Sequence, residues 1–132
     1  MKKIMFIILL IITALLIISC PQNVVKGTVW EGTLTGDFGS GTKDYDIEAY
    51  FKPDNTMKAY LTINSSTQTA EGTYVIGNNY AITTPDKLTG SGFTVDLEGV
   101  LNYYTGQGSG DYVLDNGTEF KGEWTLSKVG SY

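Results

Sequence analysis

Two hydrophobic patterns divide the chain. From Ile4 to Ile18 every residue but Thr13 is apolar. From Gly27 onward apolar and polar residues alternate with a period of two, interrupted by glycine and Asx turns. Period-two alternation predicts strands buried on one face. "TVWEGTLTGDF" puts Trp30, Leu34 and Phe38 on one face, with Gly32 and Gly36 between them. "DYDIEAYFKP" sets Tyr45, Ile47, Ala49 and Phe51 against Asp44, Asp46, Glu48, Tyr50 and Lys52, and Pro53-Asp54-Asn55 then turns the chain. "TMKAYLTIN" gives Met57, Ala59, Leu61 and Ile63 one face, and Ser65 to Thr69 reads as a polar loop.

The second half repeats the pattern. "EGTYVIGNNYAITT" is expected to be a hairpin around Gly77-Asn78-Asn79. "GFTVDLEGVLNYY" aligns Phe93, Val95, Leu97, Leu101 and Tyr103, with Asp96, Glu98 and Asn102 opposite, and "TGQGSG" reads as a loop. In "DYVLDNGTEFKGEWTLSKV" the turn chemistry of Asp115-Asn116-Gly117 separates two alternating strands. The last of these sets Phe120, Trp124 and Leu126 against Glu119, Lys121 and Glu123.

These segments predict an all-β domain, an antiparallel up-and-down meander of about eight strands over residues 27–132. A meander buried on one side needs its edges closed, which a small barrel does best. Inward glycines (Gly32, Gly36, Gly99 and Gly122) suit the tight bends of such a barrel. A two-sheet sandwich is the alternative. Trp30, on the first strand, and Trp124, on the last, are expected to lie near each other across the closing seam. Gly27-Thr28-Val29-Trp30 resembles the Gly-x-Trp signature of the first strand in lipocalin-like (calycin) and avidin-like barrels, with one extra residue in the spacing. That resemblance implies the barrel fold and assigns no binding residue.

The continuous apolar run has a different meaning. Fifteen residues of helix reach roughly 22 Å, short of a hydrocarbon core about 30 Å thick. Lys2 and Lys3 precede the run, and Ile17-Ile18-Ser19-Cys20 ends it. This resembles the leader and lipobox of bacterial lipoprotein precursors. The resemblance implies cleavage before Cys20, the chain's single cysteine, and acylation of its thiol by a diacylglycerol, with a further acyl chain such as palmitate on the new N-terminus. Residues 1–19 are then a signal peptide and 20–26 a short tether. The protein is expected in the bacterial envelope, at the outer membrane or cell surface in preference to the inner membrane, because Pro21 follows the cysteine where some lipoproteins carry a retention aspartate.

Charge narrows the partners. With Lys2 and Lys3 in the leader, seven lysines and no arginine face fourteen acids, a net charge near −7. That disfavours nucleic acid, which requires a basic footprint. It also disfavours electrostatic docking on anionic lipid, leaving the acyl anchor to hold the membrane.

The inventory of catalytic groups is thin. There is no histidine, so the usual general base and the commonest transition-metal ligand are missing. Asp44-Tyr45-Asp46-Ile47-Glu48 opens like a calcium loop, but Ala49 and Asn55 stand where glycine and glutamate belong. On a strand these acids form a solvated outer ladder. Asp96 with Glu98, and Glu119 with Glu123, share polar faces away from any inferred cleft. The expectation is a non-enzymatic binding or interaction module without metal or cofactor. One version is a carrier of a small apolar ligand, with Trp30, Phe51, Phe93, Tyr103 and Trp124 lining its interior. The other is a protein-interaction module presenting Tyr50, Tyr60, Tyr104 and an acidic face to an envelope protein or as an inhibitor. A filled barrel favours the second version and a cavity the first.

Overall fold

The computed structural model describes residues 24–39 and 41–132. The leader, the lipobox and Cys20 lie outside the described residues. The strands are β1 Thr28–Asp37, β2 Thr42–Phe51, β3 Thr56–Ile63, β4 Ser66–Thr73, β5 Val75–Ile76, β6 Ala81–Thr83, β7 Leu88–Gly90, β8 Phe93–Asn102, β9 Gln107–Asp115 and β10 Glu119–Ser131. Eight of them close an antiparallel barrel: β1 to β4 pair in sequence, β7 joins β4 to β8, β9 and β10 follow, and β10 returns to β1. The sheet is single and closed, so the sandwich alternative does not apply. All these ladders lie within residues 24–132.

The predicted faces are the observed ones. Trp30, Leu34, Tyr45, Ile47, Ala49, Phe51, Met57, Ala59, Leu61, Val95, Leu97, Leu101, Trp124 and Leu126 are all buried in one core. Val25 is wholly buried with them, so the packed part of the chain begins two residues before Gly27.

Two expected loops are strands. Ser66 to Thr69 belong to β4, because Asn64 and Ser65 both take positive φ (52° and 66°) and turn the chain in two residues. Positive φ at both central positions matches the twist of flanking strands, so a polar sequence pairs fully with β3. Gln107 to Gly110 begin β9, where Gly108 and Gly110 face the core beneath Trp124. A Cβ at Gly108 would meet the indole at 3.2 Å, and one at Gly110 would run into the Glu98 carbonyl. The glycines that look like loop are the floor on which a tryptophan lies.

The hairpin predicted around Gly77-Asn78-Asn79 is β5–β6, an extension outside the ring. It explains an irregular seam. β8 pairs with β7 through Phe93–Val95 and with β6 through Glu98–Val100. Between them the Thr84 hydroxyl accepts the Leu97 N–H at 2.9 Å, satisfying a backbone donor that neither strand reaches. Thr84 is accordingly a fully buried polar residue.

Candidate functional site

The two ends of the barrel differ. At the end where the chain enters, Trp30 donates from Nε1 to the Thr28 hydroxyl at 2.9 Å, and that hydroxyl donates to the Val25 carbonyl. Phe51 stands edge-on to Trp30 at 6.4 Å and to Tyr74 at 4.9 Å. Burial pushes the Tyr74 phenol up to about 12. Backbone bonds from Gly27 to Phe51 and from Tyr132 to Gly27 tie both termini of the barrel across this end. It is closed.

Above it lies a middle layer that is also full. Trp124 Nε1 donates to the carbonyls of Glu98 (3.1 Å) and Asp111 (3.0 Å). Tyr112 lies where a Cβ on Gly36 or Gly122 would collide with its ring, and burial raises its phenol.

The opposite end is open. The loops after β1 and β3 and the turns between β7 and β8 and between β9 and β10 surround a pocket of about 410 Å³. Its walls are apolar, from Phe38, Leu61, Ile63, Phe93, Leu114 and Phe120, and its rim carries Asn64, Gln68, Ser91 and Asn116. Phe38 is the centre of the wall, 4.8 Å from Tyr45, 5.1 Å from Phe120 and stacked 6.3 Å from Tyr112. Its loop is shaped by Asp37, whose Oδ1 accepts the amides of Gly39 (2.8 Å) and Gly41 (3.1 Å). Asp115 Oδ1 likewise accepts the Gly117 amide at 2.9 Å, where φ is 102°. A volume of this size falls within the range of small-molecule sites, about 300–1,000 Å³.

A larger depression of about 850 Å³ lies on the outside of β1 to β4 and β10, bordered by Glu31, Asp46, Glu48, Tyr50, Tyr60 and Thr62. It is the open concavity of a twisted sheet and does not reach the core, so the smaller mouth is the better candidate for a small ligand. Glu31 and Glu48 are directly opposed across the β1–β2 ladder there. Tyr50 packs edge-on against Tyr60 at 5.6 Å and Tyr132 at 5.5 Å, and a hydrogen bond to Glu48 raises its phenol.

Of the five residues singled out as ligand-lining, Phe93 borders the mouth. Trp30 and Phe51 pack together at the closed end, and Trp124 fills the middle layer. Tyr103 lies in an aromatic cluster with Tyr80 (5.1 Å) and Tyr104 (4.7 Å). The seam between β1 and β10 forms as expected, but Trp30 faces Lys128 and Trp124 faces Leu34. Four residues of offset is about 13 Å along a strand, so the two indoles occupy different layers.

The mouth residues not singled out, Phe38, Ile63, Leu114 and Phe120 among them, all lie at strand ends beside turns. Their signal is position: an inward apolar residue next to a turn, with no bulky loop beyond it. Asp96 and Glu98 sit apart from the mouth, and among the described residues no three His, Cys, Asp or Glu side chains are placed to hold a metal ion. No protein-family model matches the chain, and no curated protein is significantly similar to it in sequence.

Proposed function

We infer that this protein is a lipid-anchored binding module of the bacterial envelope, and that it takes a small ligand into the open mouth of its barrel. The observation that carries this reading is the asymmetry between the ends. A barrel packed throughout would make its outside the working surface, whereas here one end is shut by interlocked aromatics and the other keeps a ligand-sized pocket with apolar walls and a polar rim. None of the described residues lining that pocket carries a carboxylate, an amine or an imidazole, which supports binding without catalysis.

The anchor fits the same arrangement. The chain enters at the closed end, so a lipid on Cys20 would hold that end near the bilayer and point the mouth at the aqueous space. Cys20→Ala should leave uncleaved precursor or release soluble protein. Unchanged processing and membrane attachment in that variant would remove the lipoprotein reading.

Binding is tested on the mature chain with Cys20→Ser, free of lipid and detergent. The neutral probe N-phenyl-1-naphthylamine should gain fluorescence saturably and raise the Tm, as any ligand selective for the folded state must. Phe120→Asp, which puts a charge in the apolar wall, should abolish the response. No saturable response in the parent protein would rule out the mouth as an apolar site.

A second reading, docking of another protein on the outer concavity, has one observation in its favour. Directly opposed like charges on neighbouring strands are unfavourable, and Glu31 opposite Glu48 is such a pair, with Asp46 beside it. Pull-down of an envelope partner by the parent protein but not by Glu31→Lys would favour this reading over the mouth.

A further inference from the structure

We propose that the ligand of the mouth is a compact, uncharged molecule, an aromatic or alicyclic body bearing hydroxyl, carbonyl or amide groups, and that acidic amphiphiles such as fatty acids are excluded. This rests on the mouth being the binding site and goes beyond it to the class of ligand.

The lining provides the argument for neutrality. The chain carries fourteen acids and nine lysines, yet among the described residues none of them borders the pocket. An ion drawn into such a site exchanges water for apolar walls without a counter-charge, which is costly whatever its sign. An anion fares worse still. Asp37 and Asp115, at the ends of strands beside the mouth, remain acids whose carboxylates already hold loop amides. The lysines with ion pairs among the described residues are committed elsewhere: Lys52 and Lys58 to Glu71, and Lys121 to Glu119.

The rim says what the ligand has instead of charge. Asn64 and Gln68 each offer a carbonyl and an NH2 group, Asn116 offers its NH2 while its Oδ1 accepts the Thr118 amide at 3.2 Å, and Ser91 offers a hydroxyl. Amides present donors and acceptors together, and so they match alcohols, carbonyls and amides without requiring a net charge.

Compactness follows from the floor. Below Leu61 and Leu114 the middle layer is occupied by Trp124, Tyr112 and Leu97, each at most 2 % exposed. An extended acyl chain has no channel to enter, and a ring seated among Phe38, Phe93 and Phe120 does. The Tyr45 hydroxyl, buried one layer deeper than Phe38, has no hydrogen-bond partner among the described residues. A ligand that displaced the Phe38 ring would offer it one.

The test is a matched pair on the mature chain with Cys20→Ser: N-phenyl-1-naphthylamine and 8-anilinonaphthalene-1-sulfonate, which share a ring skeleton and differ in a sulfonate. The neutral compound should bind tighter by about tenfold or more, the cost of an unpaired ion in an apolar site. The preference should persist at high salt, which screens the protein's overall negative charge but not the desolvation of the sulfonate. Gln68→Lys, placing a cation on the rim, should shift the ratio towards the sulfonate. Equal affinities, or a preference that vanishes with salt or ignores Gln68→Lys, would overturn the proposal while leaving the mouth as a site. Failure of both probes to bind would instead overturn the binding reading on which it rests.

Discussion

Phe51 and Phe120 are the same residue at opposite ends of one barrel, and they have different surroundings. Phe51 is completely buried, held between Trp30 and Tyr74, and its carbonyl accepts the Gly27 amide. Phe120 is half-buried, leans on Phe38 and borders an open pocket. The difference comes from what lies beyond each strand end. At the closed end the incoming segment folds across the opening and supplies Val25, Thr28 and Trp30 as a lid fixed by hydrogen bonds. At the mouth the connections are short turns, and those after β1 and β9 are tied to the carboxylates of Asp37 and Asp115. A barrel of eight strands has room for side chains or for one small ligand. This one uses both options, one at each end.

The largest predicted effect lies at the closed end. Phe51→Ala should destabilise by about 3–5 kcal/mol, the range for truncating a fully buried large aromatic, measured by urea denaturation. Next is the middle layer. Gly110→Ala must push a methyl group against the Glu98 carbonyl beside Trp124, and overpacking of that kind costs about 1–3 kcal/mol. A loss under half a kilocalorie would show that the floor beneath Trp124 is not tight. At the mouth, Phe120→Ala should cost less, about 2 kcal/mol, since the side chain is only partly buried. It should nevertheless lose the neutral probe. Equal destabilisation at Phe51 and Phe120 would erase the distinction between the ends.

Alkaline pH gives a smaller contrast within the closed half. Burial raises Tyr74 to about 12 from an ordinary 10.0. The unfolded chain therefore ionises this phenol first, and the stability it contributes is intact below pH 10 and lost as pH rises towards 12. Tyr74→Phe should flatten the fall in stability over that window, followed by denaturation midpoints. An unchanged slope would mean that the phenol is not protected. The smallest effect belongs to the outer face: Glu123→Ala should change stability by less than about 0.5 kcal/mol, because the residue is exposed beside buried Trp124.

Alternation alone carries most of the fold. Wherever apolar residues recur at every second position, as in Tyr45-Ile47-Ala49-Phe51, the buried face is the one read from the sequence, because a strand that turned them outward would lose its core contacts. The pattern fails where strands contain few apolar residues. β4 has Ala70 as its only buried residue, and β9 has two glycines among its first four residues, so both starts resemble loops until β3, β10 and Trp124 are seen beside them. The site was harder to read. The sequence distinguishes inward from outward residues but not one barrel end from the other, since that depends on which connection folds over the opening. Trp30, Phe51 and Trp124 are large inward aromatics like Phe93, and only the lid of Val25 and Thr28 and the glycine floor make them core. Phe38 and Phe120 gained their place at the mouth from short turns beside them, a feature of strand length and register.

The central claim is that one end of this barrel is shut and the other receives a ligand. Titrating the neutral naphthylamine probe into isotopically labelled mature protein, with backbone amide shifts followed by NMR, tests it most directly. Saturable shifts should cluster around Phe38, Ile63, Phe93, Leu114 and Phe120, leaving Trp30, Phe51 and Tyr74 unmoved. Shifts centred on the closed end or the outer concavity, or none that saturate, would contradict it.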